Sequence, residues 1–132
     1  MWKGVETRSK YYSIIINRYE KETDMTLNIA IEQGPGEAII KLSGELDAAT
    51  APQFRDAIEK VAEKKPQRLV FLMNELEFMA SAGLRVLIFA RQKMGSSVSL
   101  YVIGSHGPVL NTLIMSGFHH SVHMQEAYAP AV

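Results

Sequence analysis

ELEFMASAGLRVLIFARQKM, residues 75–94, sets a serine-containing turn directly in front of a strongly apolar helix. Leu84, Val86, Leu87, Ile88 and Phe89 form a wide arc on a helix running roughly from Ala82 to Lys93, and an arc of that width predicts deep burial. Ser81 stands where a helix cap is needed, Gly83 leaves the first turn open to an approaching partner, and Gly95 ends the helix. Before the turn, RLVFLM (68–73) has the short apolar composition of a strand covered on both faces. After the helix, SVSLYVIG (97–104) supplies another strand. Strand, helix and strand in that order imply a right-handed crossover between parallel neighbours.

Working outward, TLNIAIEQ (26–33) alternates with period two and places Leu27, Ile29 and Ile31 on one face. Pro35 and Gly36 make a turn before AIIKLSG (38–44), so the two stretches read as a hairpin. In ELDAATAPQF (45–54), Thr50 is a credible N-cap, Gln53 occupies the capping-box position and Pro52 is tolerated in the first turn. Phe54, Ala57, Ile58 and Val61 then follow helical spacing, with charged residues on the other side, and Pro66 stops that helix. Ser105 is the expected cap of a third helix, with Pro108 in its first turn, Leu110, Leu113 and Ile114 on its face and Gly117 at its exit. Residues 121–124 supply a short last strand. The order is strand, strand, helix, strand, helix, strand, helix, strand. It predicts an α/β domain with a mostly parallel sheet.

Residues 1–24 differ in texture from the rest. Trp2, Tyr11, Tyr12, Tyr19 and nine charged residues surround one apolar run, Ile14–Ile16, which reads either as an additional strand or as an attached arm. The compact domain is expected over 25–126, with a tail at 127–132.

Composition narrows the function classes. A chain of 132 residues suits one domain, and 47% hydrophobic with 21% charged residues suits a soluble globular protein. Fourteen basic and fourteen acidic side chains balance, which argues against a nucleic-acid partner. Without cysteine there is no disulfide, thiolate nucleophile or cysteine-bound zinc, a composition compatible with a reducing cytoplasm. No run has the length of a membrane span and the N-terminus lacks the order of a secretion signal, so a cytoplasmic protein is expected.

The usual chemical motifs are weak or missing. Neither GPG (34–36) nor GSHG (104–107) has the glycine spacing of a phosphate cradle, although the latter precedes a helix start that can hold an anion. His106, His119, His120 and His123 have no cysteine or nearby aspartate to complete a tetrahedral metal set. ASAG (80–83) lacks the glycine two places before the serine that a nucleophile elbow requires. Glu75 and Glu77 share a strand-like face, as two surface glutamates commonly do. No catalytic residue, cofactor or metal is assigned. Ser81 has three readings from its chemistry: a cap, a cap that also touches a partner, or a phosphorylation site.

GELDAATAPQFRDAI (44–58), RLVFLM, LEFMASAGLRVLIFARQK (76–93) and GPVLNTLIMSGF (107–118), in that order and spacing, resemble the STAS domain family and its small bacterial anti-sigma factor antagonists. The resemblance implies a mixed sheet of four or five strands with helices packed mainly on one side. It also implies a non-enzymatic switch that binds an anti-sigma factor, usually a serine kinase of the histidine-kinase-like ATPase fold, and thereby frees a sigma factor for transcription. Phosphorylation by that kinase dissociates the antagonist and a phosphatase restores it. The family's motif of Asp, two hydroxyl residues and Gly falls here on Ala80, Ser81, Ala82 and Gly83. The acid is missing and Ala82 stands where the usual phosphoacceptor would be, leaving Ser81 as the phosphorylation candidate. Leu72 matches a position where the family often has Asp or Asn, and Asp47 matches an acidic position. The docking surface so implied comprises Asp47, Thr50, Met79, Ser81, Gly83, Leu84, Arg85 and Ile88, all expected to be exposed. Two alternatives stay open, a scaffold component of a signalling complex using residues 1–24 and a small-ligand or nucleotide sensor. Self-association into a homodimer also stays open.

Overall fold

The computed structural model describes residues 26–128. The expected features of residues 1–24, and the end of the C-terminal tail, lie outside the described residues. The elements are β1 (Leu27–Gly34), β2 (Glu37–Leu46), α1 (Ala51–Ala62), β3 (Arg68–Met79), α2 (Ser81–Met94), β4 (Ser99–Ile103), α3 (Gly107–Ser116) and β5 (His123–Gln125). A short 3-10 turn, Phe118–Ser121, precedes β5.

The five strands lie in the order β1-β2-β3-β4-β5. β1 pairs antiparallel with β2 through the hairpin, and each later strand joins its predecessor in parallel. Every crossover therefore steps one strand in the same direction. Right-handed connections then place α1, α2 and α3 on one face of the sheet, as the α/β reading and the family resemblance both implied.

That face holds the main core. Leu27, Ile29 and Ile31 of β1 meet Ala38, Ile40 and Leu42 of β2, Leu69, Phe71 and Met73 of β3, and the predicted α1 stripe of Phe54, Ala57, Ile58 and Val61. Phe54 sets its ring edge against Phe71, with centroids 5.6 Å apart, a geometry that suits the aromatic quadrupoles. Arg55 on α1 lies 3.9 Å over the ring of Phe89 on α2 and pins the two helices together at their outer edge.

β3 is longer than the run RLVFLM suggested, extending to Met79 through two irregularities. Lys41 pairs with Leu72 but Ser43 pairs with Glu75, and Gly44 pairs with Leu76 but Glu45 with Phe78. One residue bulges out of β3 at each place. The inward side chains accordingly run Leu69, Phe71, Met73 and then Leu76, Met79. Glu75 and Glu77 are exposed, but a bulge at Glu77 separates them, so they do not share a regular strand face.

Several helix details differ from expectation. α2 buries only Gly83, Val86, Leu87 and Ala90, while Ile88 is 39% exposed, so its arc is narrower than its composition implied. α3 buries Val109 and Leu113, and Ile114 is exposed. The capping residue of α3 is His106, in place of Ser105, and its side chain makes no cap bond. Thr50 does stand at the cap position of α1, but its hydroxyl turns back into the preceding loop, and the capping box with Gln53 is not formed. Gly117 closes α3 in the left-handed conformation, as expected.

The opposite face has its own small cluster, Ile39, Val70, Leu72 and Ile103, against which Tyr101 and Tyr128 pack. Tyr128 ties the chain's C-terminal stretch to the strands. Its hydroxyl lies 3.1 Å from Glu37 Oε2 and accepts a 3.1 Å bond from Arg68 Nε–H, while Arg68 also reaches Glu37 Oε1 at 3.4 Å. Burial disfavours the phenolate and raises the Tyr128 pKa, and the Glu37 carboxylate adds to the rise against the opposing Arg68 hydrogen bond. A raised folded-state value means that the neutral phenol stabilises the fold below the unfolded value and that this contribution fades as pH climbs through the folded one. Ultraviolet absorbance titration of wild type minus Tyr128→Phe should thus give a phenol with its midpoint above the ordinary 10.0, and a midpoint at or below it would contradict this placement.

Candidate functional site

The strands β2 and β3 end together. Leu46 pairs with Met79, and the Ala80 N–H donates to the Leu46 carbonyl at 2.9 Å, so the loop after β2 and the first turn of α2 sit side by side at the C-terminal end of the sheet. Asp47 and Ser81 each follow directly on this junction.

The loop carrying Asp47 is self-bonded. Asp47 Oδ1 accepts from the N–H groups of Ala49 (3.0 Å) and Thr50 (3.1 Å), the turn geometry to which a short carboxylate lends itself. The Thr50 hydroxyl accepts from the Asp47 N–H at 2.9 Å and reaches the Glu45 carbonyl at 3.0 Å. Thr50 is consequently buried, and Asp47 is half-buried with its carboxylate partly engaged by the backbone.

α2 begins at Ser81. Ala80 occupies the capping position in extended conformation and no side chain caps the helix, so the expected Ser81 cap is corrected: Ser81 is the first helical residue and is exposed. The Gly83 and Leu84 N–H groups bond back to the Ala80 carbonyl, while those of Ser81 and Ala82 precede any intrahelical partner. Ser81, Arg85 and Ile88 are exposed and Leu84 half-buried, at spacings that place all four along one side of the helix. The buried side carries Gly83, which rests on Leu46: a Cβ at this position would come within 2.5 Å of Leu46 Cγ and 3.3 Å of Met79 Cγ.

The eight sequence-derived residues therefore divide. Asp47, Ser81, Leu84, Arg85 and Ile88 share one accessible end of the domain. The expected exposure of Thr50, Met79 and Gly83 is wrong, because Thr50 staples its own loop, Met79 ends β3 pointing into the core and Gly83 is the contact surface for Leu46. These three shape the site from beneath.

A family profile for the STAS domain matches residues 28–131, most of the chain. The chain belongs to the STAS domain family. This STAS domain is 33% identical over 98 residues to an anti-sigma F factor antagonist of Paenibacillus polymyxa, an alignment covering 70% of this chain and 81% of that one. It is also 31% identical over 78 residues, 59% of its length, to the anti-sigma-F factor antagonist RsfB of Mycobacterium tuberculosis, of which the match spans only 64%. Among solved structures it resembles an anti-sigma factor antagonist from Mycobacterium paratuberculosis with a TM-score of 0.70 at 26% identity, over 76% of this chain and 86% of that one.

Two further residues belong to this end of the STAS domain. Phe78 is 43% exposed just before the turn, an aromatic displayed because the bulge at Glu77 resets the strand. Asn74 occupies the other bulge; its carbonyl lies 2.9 Å from His106 Nε2, and its side chain fills the space where Gly104 has no Cβ. His106 is thus engaged in joining the β4–α3 loop to β3. Neither residue had a signal in the sequence, since bulges leave no compositional mark. Leu72, matched to a polar position of the family, points to the opposite face beside Val70, so the polar residue at this end of β3 is Asn74. Among the described residues no helix is long and apolar enough to cross a membrane, and no three His, Asp or Glu side chains are grouped to hold a metal.

Proposed function

We propose that this STAS domain is a non-enzymatic antagonist that binds an anti-sigma factor of the histidine-kinase-like ATPase fold in the cytoplasm, using the outer side of α2 and the adjoining Asp47 loop. The observation that carries the reading is the exposed stripe of Ser81, Leu84, Arg85 and Ile88 beside Asp47, in a chain similar to proteins described as anti-sigma factor antagonists. A half-apolar stripe with one cation and one neighbouring carboxylate suits a protein partner better than a small ligand. Ser81 is the position at which phosphorylation would release that partner. Its exposed side chain is not committed to capping, and the helix start and Arg85, one turn on, both favour a dianion in the unbound antagonist. The same charge pressed against a partner surface is costly to desolvate. Ala82, where the family usually has its phosphoacceptor, has no hydroxyl, so a kinase acting on this turn would have to use Ser81 and a phosphatase would have to act there.

The test is affinity purification of the intact chain from its native organism, with wild type and Ile88→Asp as baits. Wild type should retain an ATPase-fold anti-sigma factor, and Ile88→Asp, at an exposed position, should lose it while its circular-dichroism spectrum stays that of the folded protein. Failure of wild type to retain any such ATPase would sink the reading. Equal retention by Ile88→Asp would remove the α2 stripe from the interface.

A further inference from the structure

Phe78 stands on the side of the sheet away from the helices. Leu42 and Leu46 of β2 point into the main core, so Lys41, Ser43 and Glu45 occupy the opposite face, and Phe78 is the register partner of Glu45. β4 does not flank it, because the pairing of β4 with β3 ends at Ile103 and Leu72. The ring is left 43% exposed.

One exposed aromatic is ordinary on a protein surface, but the setting of this one is not. Glu45 lies beside it across the strands, Glu77 precedes it in the chain, and Glu75 sits one pair earlier against Ser43; all three glutamates are exposed. Lys41 is ion-paired with Glu75 at 3.7 Å, while among the described residues neither Glu45 nor Glu77 has an ion-pair partner. Acidic and basic side chains are equal in number over the whole chain, so negative charge is gathered at this corner. That sign decides the occupant. Nucleic acid and an anionic membrane are repelled, and a second copy would bring the same carboxylates against these. The complement is a different protein with an apolar pocket for the ring and a rim of Lys or Arg, the usual arrangement of a buried anchor inside a polar border. β3 turns from Phe78 through Met79 and Ala80 into Ser81, which makes this corner continuous with the α2 stripe around the strand ends.

We propose that Phe78 is an aromatic anchor of the partner interface and inserts into a basic-rimmed apolar pocket on the partner. The proposal rests on the reading of this domain as an anti-sigma factor antagonist, and it carries that contact from α2 over the strand ends onto the helix-free side. The two sides differ in sign, with Arg85 on one and Glu45 and Glu77 on the other. A partner surface acidic opposite Arg85 and basic around Phe78 can dock in one orientation only.

The test uses the ATPase-fold protein captured by the intact wild-type chain, purified and measured by surface plasmon resonance at several salt concentrations. Phe78→Ala should weaken binding by about 30-fold, the effect of losing a central aromatic anchor. Met115→Ala, at an 85% exposed position on α3, should bind as wild type does. Glu45→Lys combined with Glu77→Lys should slow association by about tenfold at low salt and flatten its salt dependence. Circular dichroism checks that each variant keeps the folded spectrum. Undiminished binding by Phe78→Ala would overturn the proposal and leave the antagonist reading standing, whereas capture of no ATPase-fold protein by wild type would overturn both. Faster association of the charge-reversed chain would put acid opposite Phe78 and also overturn it. So would a wild-type dimer, seen in sedimentation, that Phe78→Ala dissociates, since the anchor would then belong to a second copy.

Discussion

Gly83→Val is expected to lower the unfolding free energy by about 3 kcal/mol, the upper range for forcing extra methyl groups into a packed interior. The added Cβ would sit 2.5 Å from Leu46 Cγ and 2.7 Å from Leu46 Cδ2. Leu46 has no room to retreat, being 0% exposed at the end of β2 and held in register with Met79. Removing a glycine from a helix normally gains up to about 1 kcal/mol against alanine, and β-branching returns part of that, so the steric cost dominates. Chemical denaturation of both proteins would measure the loss directly. A change within about 0.5 kcal/mol, the range of an ordinary surface substitution, would show that α2 can lift off Leu46 without penalty. Because the strain falls on the first turn of α2, Gly83→Val should also misplace the stripe that carries Ser81. A glycine that looked in sequence like an opening for a partner is therefore, in three dimensions, the place where the helix touches the sheet.

Ser81→Glu is expected to weaken binding of the proposed anti-sigma partner by about 100-fold, roughly 2.7 kcal/mol, within the usual cost of placing an unpaired charge in an interface. The substitution is a clean probe because position 81 is exposed and first in its helix, where a carboxylate adds about 0.3–1 kcal/mol of helix stability. Titration calorimetry with the proposed ATPase-fold partner should show this loss, while Ser81→Ala, which removes a hydroxyl unused in capping, should bind within a few-fold of wild type. Undiminished binding by Ser81→Glu would leave the partner in place but discard charge at this position as the release signal. Weak binding by Ser81→Ala would instead make the hydroxyl itself a contact.

The order of elements was legible because each carries a local signal: alternation in β1, a 3.6-residue stripe in α1, apolar runs in β3 and β4, and glycine or proline at most boundaries. For the proposed site, the accessible side of α2 was legible because Ser81, Leu84, Arg85 and Ile88 follow helical spacing whatever lies beneath them, and Asp47 came only from the family resemblance. Thr50, Met79 and Gly83 were misjudged because their burial depends on contacts between β2, β3 and α2 that no single segment encodes. The depth of α2 was overestimated for a related reason: composition shows how many apolar residues a helix has, but not how much neighbouring surface is available to cover them. Ser81 and Ser105 both looked like caps, yet each helix starts one residue away from the position its serine could serve. The end of β3 carries no period-two signal, because its inward residues change spacing from two to three after Met73.

One extra residue in a strand inverts every side chain beyond it. The bulges at Met73–Asn74 and at Glu77 are two such inversions in succession, and they cancel: Met79 returns to the inward face, and the turn bearing Ser81 leaves β3 from the side where α2 can pack. They behave as a pair of compensating frameshifts written in backbone geometry. Deleting the extra residue at either place removes the bulge and its inversion together, so Met79 should stay inward; straightening one bulge while keeping its residue should instead turn Met79 outward, unless the other is straightened as well.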